Sequence, residues 1–381
     1  MTSIQVSAVM PCLNEERTLG LCIEKAQSAL RRLGIVGEVV VADNGSTDNS
    51  VNVAHALGAR VVHESSKGYG SALMAGIAAA EGRIVVMADA DDSYDWAALG
   101  DFIAKVEEGY DLVIGNRFQG GIEPGAMPPL HRYLGNPVLS TLARVMYRIP
   151  IGDFHCGMRA FRREAFVRIA PRTPGMEFAT EMVVNASHAG LRITEIPTRL
   201  FPDKRDRLPH LRSFRDGWRH LRFMLTYAPD WLYLGPGLTM AMLGALGMLL
   251  LASGPVDLAG LHMGIHFLAV FSLFTLLGAN VASFGVFAKV LNEPRCPISP
   301  TSSMGMFLKV FTLERGLLAG SALAVGGVAI IGTILVAWLA RARGDMTETV
   351  HLAFVATTAV ALGVNVVFGS FLLSFLRDRQ K

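Results

Sequence analysis

The chain has 381 residues, 51% of them hydrophobic and only 18% charged, and its mean hydropathy of +0.39 is too high for a wholly soluble globular protein. Its formal net charge is only +3, and no aromatic platform or groove-reading motif accompanies the basic residues, so nucleic acid is excluded as a partner. Cys12, Cys22, Cys156 and Cys296 lack paired metal-ligand spacing and suit structural roles in a reducing compartment.

In chain order, an apolar strand over 6–10 opens the sequence without the basic region and apolar core of a secretory signal, so none is expected. That strand breaks off into PCLNEE, a second over 39–41 into ADNGSTDNS, and a third over 84–87 into ADADDSYD. Helical patterns at about 15–33, 47–57, 70–81 and 96–108, with further strands over 60–63 and 111–114, complete a doubly wound parallel sheet. Such sheets bind ligands beyond the carboxyl ends of their strands, so the three acidic ends converge on one site. Asp89, Asp91 and Asp92 are crowded enough to repel one another, and a hard divalent ion bridging to a phosphorylated substrate relieves that repulsion.

Simpler readings compete at each position. Asn14 suits a helix N-cap, Glu15 the first turn, and Asp43 a turn with Gly45. The KGYG segment from Lys67 to Gly70 opens a helix, where its N–H groups could cradle a diphosphate or its glycines could serve only a tight turn. Beyond Asn116 and Arg117, the Gly- and Pro-rich stretch 120–129 reads as a flexible loop able to act as a lid.

Between residues 199 and 222, eight basic side chains (Arg199, Lys204, Arg205, Arg207, Arg212, Arg215, Arg219, Arg222) face three acidic ones. Leu211, Phe214, Trp218, Leu221 and Leu225 recur among them at helical spacing, giving a basic amphipathic helix suited to anionic lipid. Uncharged runs follow at 231–256, 258–288, 316–340 and 349–376, each longer than the ~20 residues a helix needs to cross a bilayer. Lys289, Arg295, Lys309 and Arg315 occupy the second connection, and Arg377, Arg379 and Lys381 the tail, whereas the first connection has no Lys or Arg. The positive-inside rule then puts the N-terminal domain and both termini in the cytoplasm, with Arg341 and Arg343 tolerated beside Asp345 and Glu348 on the other side.

The motif set Pro11-x-x-Asn14-Glu15, Asp43 to Asp48 and Asp89-x-Asp91 resembles the family 2 glycosyltransferases. That resemblance implies a GT-A nucleotide-sugar-binding domain with a doubly wound mixed sheet, followed here by a four-helix transmembrane region. Over about residues 6–225, Arg117 in GNRF, Arg132 in HRYLGN, DFHCGMRAF from Asp153, GMEFATEM and TEIPTRL narrow it to the polyprenyl-phosphate sugar transferases, the dolichol-phosphate mannose synthase-like branch. Residue by residue it implies Mg²⁺ or Mn²⁺ on Asp89 and Asp91, and donor contacts from Pro11, Asn14, Glu15, Asp43 and Lys67. It places the acceptor phosphate on Arg117 and Arg132, with Asp153 as a site carboxylate; the catalytic set is thus Asp91, Asp153, Arg117 and Arg132. Glu181 falls where relatives with hydroxyl acceptors keep a base, and a structural role suits it as well. Two departures limit the transfer. Asp92, Ser93, Tyr94 and Asp95 replace Leu-Gln-His-Pro, so Asp92 or water must stand in for a Gln ligand, and DKRDRLPHLRSF replaces the family's Arg-x-x-Gly-Ser-Lys turn.

The expected organisation is a cytoplasmic catalytic domain over 1–209, a juxtamembrane helix over 210–229 and a membrane domain over 230–381. The expected reaction is inverting transfer of a hexose-type sugar from a GDP- or UDP-sugar to dolichyl or undecaprenyl phosphate, compatible with a homo-oligomer. Such a phosphate is already anionic, so arginines that aim it matter more than a general base. A processive polysaccharide synthase is the first alternative, but Gln-x-x-Arg-Trp is missing. A flippase with a nucleotide-sugar-binding module is the second; His262, His266 and His351 are the chief ionisable groups its polar pathway would have.

Overall fold

The computed structural model describes residues 3–204, 213–293, 298–340 and 349–379. Arg205, Arg207, Leu211 and Arg212 of the basic stretch lie outside the described residues, as do Arg295, Cys296, Arg341, Arg343, Asp345, Glu348 and Lys381. The chain divides into two units, Met1–Met224 and Leu225–Lys381.

In the first unit the apolar runs become strands β1 (Val6–Cys12), β2 (Gly37–Asp43), β3 (Arg60–His63), β4 (Ile84–Met87), β5 (Leu112–Asn116), β6 (Arg159–Arg162) and β7 (Ile193–Pro197), in the order β3-β2-β1-β4-β6-β5-β7. β1 and β4 are almost wholly buried and covered on both faces, which is why they read as continuous apolar runs. Helices α1 (Leu19–Arg32), α2 (Ser50–Ala56), α3 (Tyr69–Ala79) and α4 (Leu99–Glu107) connect the first five strands, and strand order reverses between β1 and β4. Ligand clefts form at such a reversal.

The mixed sheet implied by the family resemblance is present, and one strand breaks the parallel arrangement read from the strand pattern alone. β6 runs antiparallel to both β4 and β5, so the sheet is mixed, with Arg159 paired to Met87 on one side and to Ile114 on the other. A strand running backwards begins where its neighbours end. Residues 153–158, which lead into β6, therefore sit at the same sheet edge as the acidic ends of β1 and β4. The 120–129 stretch is tied down at its start: Ile122 bridges Leu200, and a Cβ on Gly120 would run into the backbone of Thr198.

After α5 (Arg117–Gly120), α6 (Asn136–Tyr147), α7 (Arg163–Ile169) and α8 (Phe178–His188), the amphipathic stretch forms α9 (Ser213–Tyr227). Phe214 and Trp218 are 87% and 58% exposed, whereas Asp216, His220, Phe223 and Met224 are buried. The Tyr147 hydroxyl donates to the Met224 carbonyl at 2.8 Å, and His220 Nδ1 pairs with Thr180 Oγ1 at 2.9 Å.

In the second unit four helices are long and apolar enough to cross a membrane: Asp230–Leu251, Ile265–Asn292, Leu313–Ala340 and Val350–Asp378. The first contains a π-helical turn followed by α10 (Gly235–Leu251); the others are α11, α13 and α14, with the short α12 (Ser303–Val310) before α13. Small residues let these backbones approach, as expected where lipid supplies no hydrophobic drive. A Cβ on Gly278 would meet Ala241 and Gly237 of α10, and one on Gly363 would meet Gly320 and Ala324 of α13. Ser272 and Thr358 hydroxyls join α11 to α14 at 2.6 Å. The expected end of the first run and start of the second are corrected, because residues 256–263 are apolar yet form a β-hairpin, Val256–Leu258 with Leu261–Met263, turning through Ala259 and Gly260 at positive φ. His262 lies on this hairpin, paired with Asp257 at 2.7 Å, rather than in a span.

Candidate active site

Parallel pairing in register sets Cys12 beside Asp43, and Val9 beside Met87, so the turns that follow β1, β2 and β4 share one edge. A cavity of about 500 Å³ opens there, lined by Pro11, Glu15, Lys67, Asp89 and Asp91 among the residues expected from sequence. Asn44, Tyr69, Met176, Arg215 and Arg219 also line it and were not expected as site residues.

Asn14 and Asp43 build the walls behind this lining. Asn14, at φ +58°, does not cap α1: its N–H donates to Ser46 Oγ at 2.9 Å, and its Oδ1 accepts from the Thr47 N–H at 2.7 Å, stitching the first acidic turn to the second. Asp43 accepts from the Ser46 and Gly45 N–H groups at 3.0 and 3.2 Å and pairs with His63 Nδ1 at 3.2 Å. Burial pushes its pKa up, but these bonds together outweigh burial and hold it below the usual carboxylate range. Asn44 locks the next loop, donating to the Glu64 and Ser66 carbonyls at 2.9 and 2.8 Å and accepting from the Gly68 N–H at 2.8 Å.

Of the two uses open to KGYG, close backbone packing accounts for its glycines. The Gly70 and Ser71 N–H groups already donate to the Pro174 carbonyl at 2.9 and 3.3 Å, and a Cβ on Gly68 or Gly70 would strike the carbonyls of Pro174 and Thr173. These glycines admit the 173–175 segment. Glu181 braces that segment, accepting from the Arg172 N–H at 2.9 Å and from the Thr173 N–H and hydroxyl at 2.7 and 2.6 Å, so a structural role accounts for it. Lys67 lines the cavity, with Nζ donating to the Asn44 carbonyl at 2.9 Å.

Asp89 is half-buried and accepts from the Tyr69 hydroxyl; burial first, then the Asp89 charge, keeps that phenol protonated. Asp91 is buried and oriented by Ser93, whose N–H and hydroxyl donate to Oδ1 at 3.0 and 2.5 Å. Asp92 does not replace the missing Gln. At φ +60° it is 2.6 Å from Lys25 Nζ and 2.7 Å from Lys204 Nζ, and two ammonium groups neutralise it outside the cavity lining. Among the described residues no three His, Cys, Asp or Glu side chains converge as a metal cage. Two hard carboxylates on one cavity nevertheless fit Mg²⁺ or Mn²⁺, which complete their coordination with phosphate and water.

Arg117 and Asp153 meet in a buried bidentate pair, with Nε to Oδ2 at 2.7 Å and Nη2 to Oδ1 at 2.8 Å. Burial opposes the Arg117 charge, but the adjacent Asp153 carboxylate holds it firmly protonated. The full fork expected to face a phosphate is thus partly used: the Nε edge belongs to Asp153, while Nη1 has no hydrogen-bond partner among the described residues. Arg132 lies on the π-helical turn His131–Gly135, half-buried over the Tyr133 ring and without an ion pair among the described residues. Neither arginine lines the cavity. Tyr94 connects the two regions: its hydroxyl accepts from the Gly157 N–H at 2.9 Å, and a Cβ on Gly157 would crowd Asp89 Oδ2 at 2.9 Å. Arg159 is fully buried behind them and donates to the carbonyls of Cys156, Ala179 and Phe154; burial pulls its pKa down.

A doubly wound sheet whose acidic strand ends line a cavity, in a chain that also carries four membrane-length helices, is the architecture of a membrane-bound enzyme. The profile of Glycosyl transferase family 2 matches residues 7–169, and that of the Glycosyltransferase family 2 C-terminal transmembrane region matches residues 286–377. The low-salt glycan biosynthesis hexosyltransferase Agl6 of Haloferax volcanii is 39% identical over 98% of this chain and 89% of its own length. A dolichyl-phosphate hexose transferase of the same organism is 32% identical over 50% of this chain and 81% of its own. The chain belongs to the family 2 glycosyltransferases. A Mycobacterium tuberculosis glucosyl-3-phosphoglycerate synthase, solved with Mg²⁺ and UDP, overlaps 58% of this chain and 79% of its own at 25% identity and a TM-score of 0.47, too loosely to carry a residue correspondence.

Proposed function

We propose that the chain transfers a hexose from a UDP- or GDP-sugar to a polyprenyl phosphate at the cytoplasmic face of a membrane, inverting the anomeric centre. The observation that carries this reading is the joint presence, in one chain, of Asp89 and Asp91 on a nucleotide-sized cavity and of four membrane-length helices. The named activity of the dolichyl-phosphate hexose transferase supports a lipid phosphate as acceptor.

In this reading Glu15, on the lining, faces the base and ribose of the donor, with Pro11 and Lys67 shaping that end of the cleft and Asn14 and Asp43 bracing the wall behind it. Asp89 and Asp91 would hold a Mg²⁺ or Mn²⁺ ion, which would supply charge neutralisation for the departing diphosphate. Ser93 fixes the Asp91 carboxylate and Tyr69 that of Asp89. Arg132, with the Nη1 side of Arg117, receives the acceptor phosphate; Asp153 fixes the Arg117 plane so that the guanidinium is preorganised. The phosphate oxygen attacks C1 directly as the nucleoside diphosphate departs, turning an α-linked donor into a β-linked product.

The exposed Phe214 and Trp218 lie one helical turn apart and match a helix resting in the headgroup layer, so that the lipid phosphate is delivered while its tail stays in the bilayer. Phe214→Glu with Trp218→Glu is therefore expected to reduce transfer to long-chain polyprenyl phosphate in detergent-free membranes by about tenfold or more, the scale of two lost interfacial anchors. Transfer to a short, water-soluble analogue should change little. Equal losses with both acceptors would assign the helix to folding rather than delivery.

A further inference from the structure

We infer that Arg215 and Arg219 of α9 are donor-binding residues that close on the diphosphate of the nucleotide-sugar, a role that rests on the nucleotide-sugar reading above. Their charge pattern places them around a lipid-facing helix, but both line the same cavity as Glu15, Asp89 and Asp91, as does Asp216 between them. At 100° per residue along an α-helix, the Arg215–Arg219 face is distinct from the Phe214–Trp218 face, so one helix can present cations to the cleft and aromatic rings to the surface.

The cavity lining carries four carboxylates, Glu15, Asp89, Asp91 and Asp216, against three cations, Lys67, Arg215 and Arg219, so a divalent ion on Asp89 and Asp91 would turn its net charge from −1 to +1 and suit it to an anion. Lys67 already donates to the Asn44 carbonyl, and Arg117 and Arg132 lie outside the lining. Arg215 and Arg219 are different: their side chains are 53% and 44% exposed, and each approaches Asp216 Oδ1 only to 3.6 Å, beyond hydrogen-bond reach. Neither makes a side-chain hydrogen bond among the described residues, which leaves their donors available to phosphate oxygens. Buried Asp216, flanked by both guanidinium groups, keeps them at the cleft when the anion is absent.

The test is equilibrium binding of fluorescent UDP and GDP, with Mg²⁺ present, to the full chain in nanodiscs. Arg215→Gln and Arg219→Gln are each expected to weaken the preferred nucleotide about tenfold and the double variant roughly 100-fold, the scale of charge-assisted hydrogen bonds to phosphate. The double variant should also lose the wild-type preference for the diphosphate over the corresponding monophosphate. Arg222→Gln removes the same charge from an exposed position outside the cavity and should leave the Kd unchanged. Unchanged nucleotide binding in the double variant would overturn the inference while leaving the nucleotide-sugar reading intact. An equal loss in Arg222→Gln would reduce it to a general field effect and overturn it too. A raised KM for polyprenyl phosphate with nucleotide Kd unchanged would move the arginines to the acceptor. A wild-type chain that binds neither UDP nor GDP would bring down the nucleotide-sugar reading itself.

Discussion

Asp91→Asn is expected to abolish sugar transfer while leaving expression, membrane insertion and thermal stability close to wild type. The substituted amide keeps an oxygen for the Ser93 N–H and hydroxyl, so the turn after β4 is preserved. What is lost is a hard anionic ligand where leaving-group charge develops, and several kcal/mol of that stabilisation corresponds to roughly 10³-fold or more in rate. Excess chelator should have the same effect on the wild-type chain, and added Mg²⁺ or Mn²⁺ should reverse it. Full turnover in chelator would remove the metal from the account.

The second large effect concerns stability. Asp153→Leu strands the buried Arg117 guanidinium without its carboxylate, and breaking one partner of such a pair costs about 3–5 kcal/mol. A lowered Tm of the detergent-solubilised chain reads this directly. Combining it with Arg117→Met removes the orphaned charge and should recover much of the loss, although transfer stays impaired because the arginine is gone. If Asp153→Leu leaves the Tm at its wild-type value, the pair is not the anchor of this corner of the site.

The parts of the fold that were legible in the sequence are those where one physical signal dominates. β1, β2 and β4 are apolar runs stopped by acidic turns, and burial on both faces makes such runs unambiguous. The four membrane-length helices stand out for the same reason. β6 was hidden because RAFR begins and ends in arginine; Arg159 is fully buried by satisfying three carbonyls, a compensation visible only in three dimensions. The hairpin at 256–263 was hidden by its apolar content, with Ala259 and Gly260 the local hint of a turn.

At the site, the cavity-lining carboxylates were legible because their crowding has few structural uses. The partners that decide their roles were not, since they come from distant segments. Asp92 is claimed by Lys25 and Lys204, 67 and 112 residues away in the chain, and Arg117 by Asp153, 36 residues on. KGYG looked like a phosphate loop because glycine suits both an anion and a close backbone, and only the position of Pro174 separates the two. For Arg215 and Arg219 the sequence carries the sign of the charge but not which face of α9 meets the cleft.

The most direct test of the central claim is transfer of radiolabel from a panel of UDP- and GDP-hexoses, using membranes that contain the chain and are supplied with polyprenyl phosphate. One donor is expected to label an organic-soluble product, with labelling dependent on both the added lipid phosphate and a divalent metal and with one sugar added per lipid. Label accumulating in a growing polysaccharide, or the same labelling without polyprenyl phosphate, would contradict it.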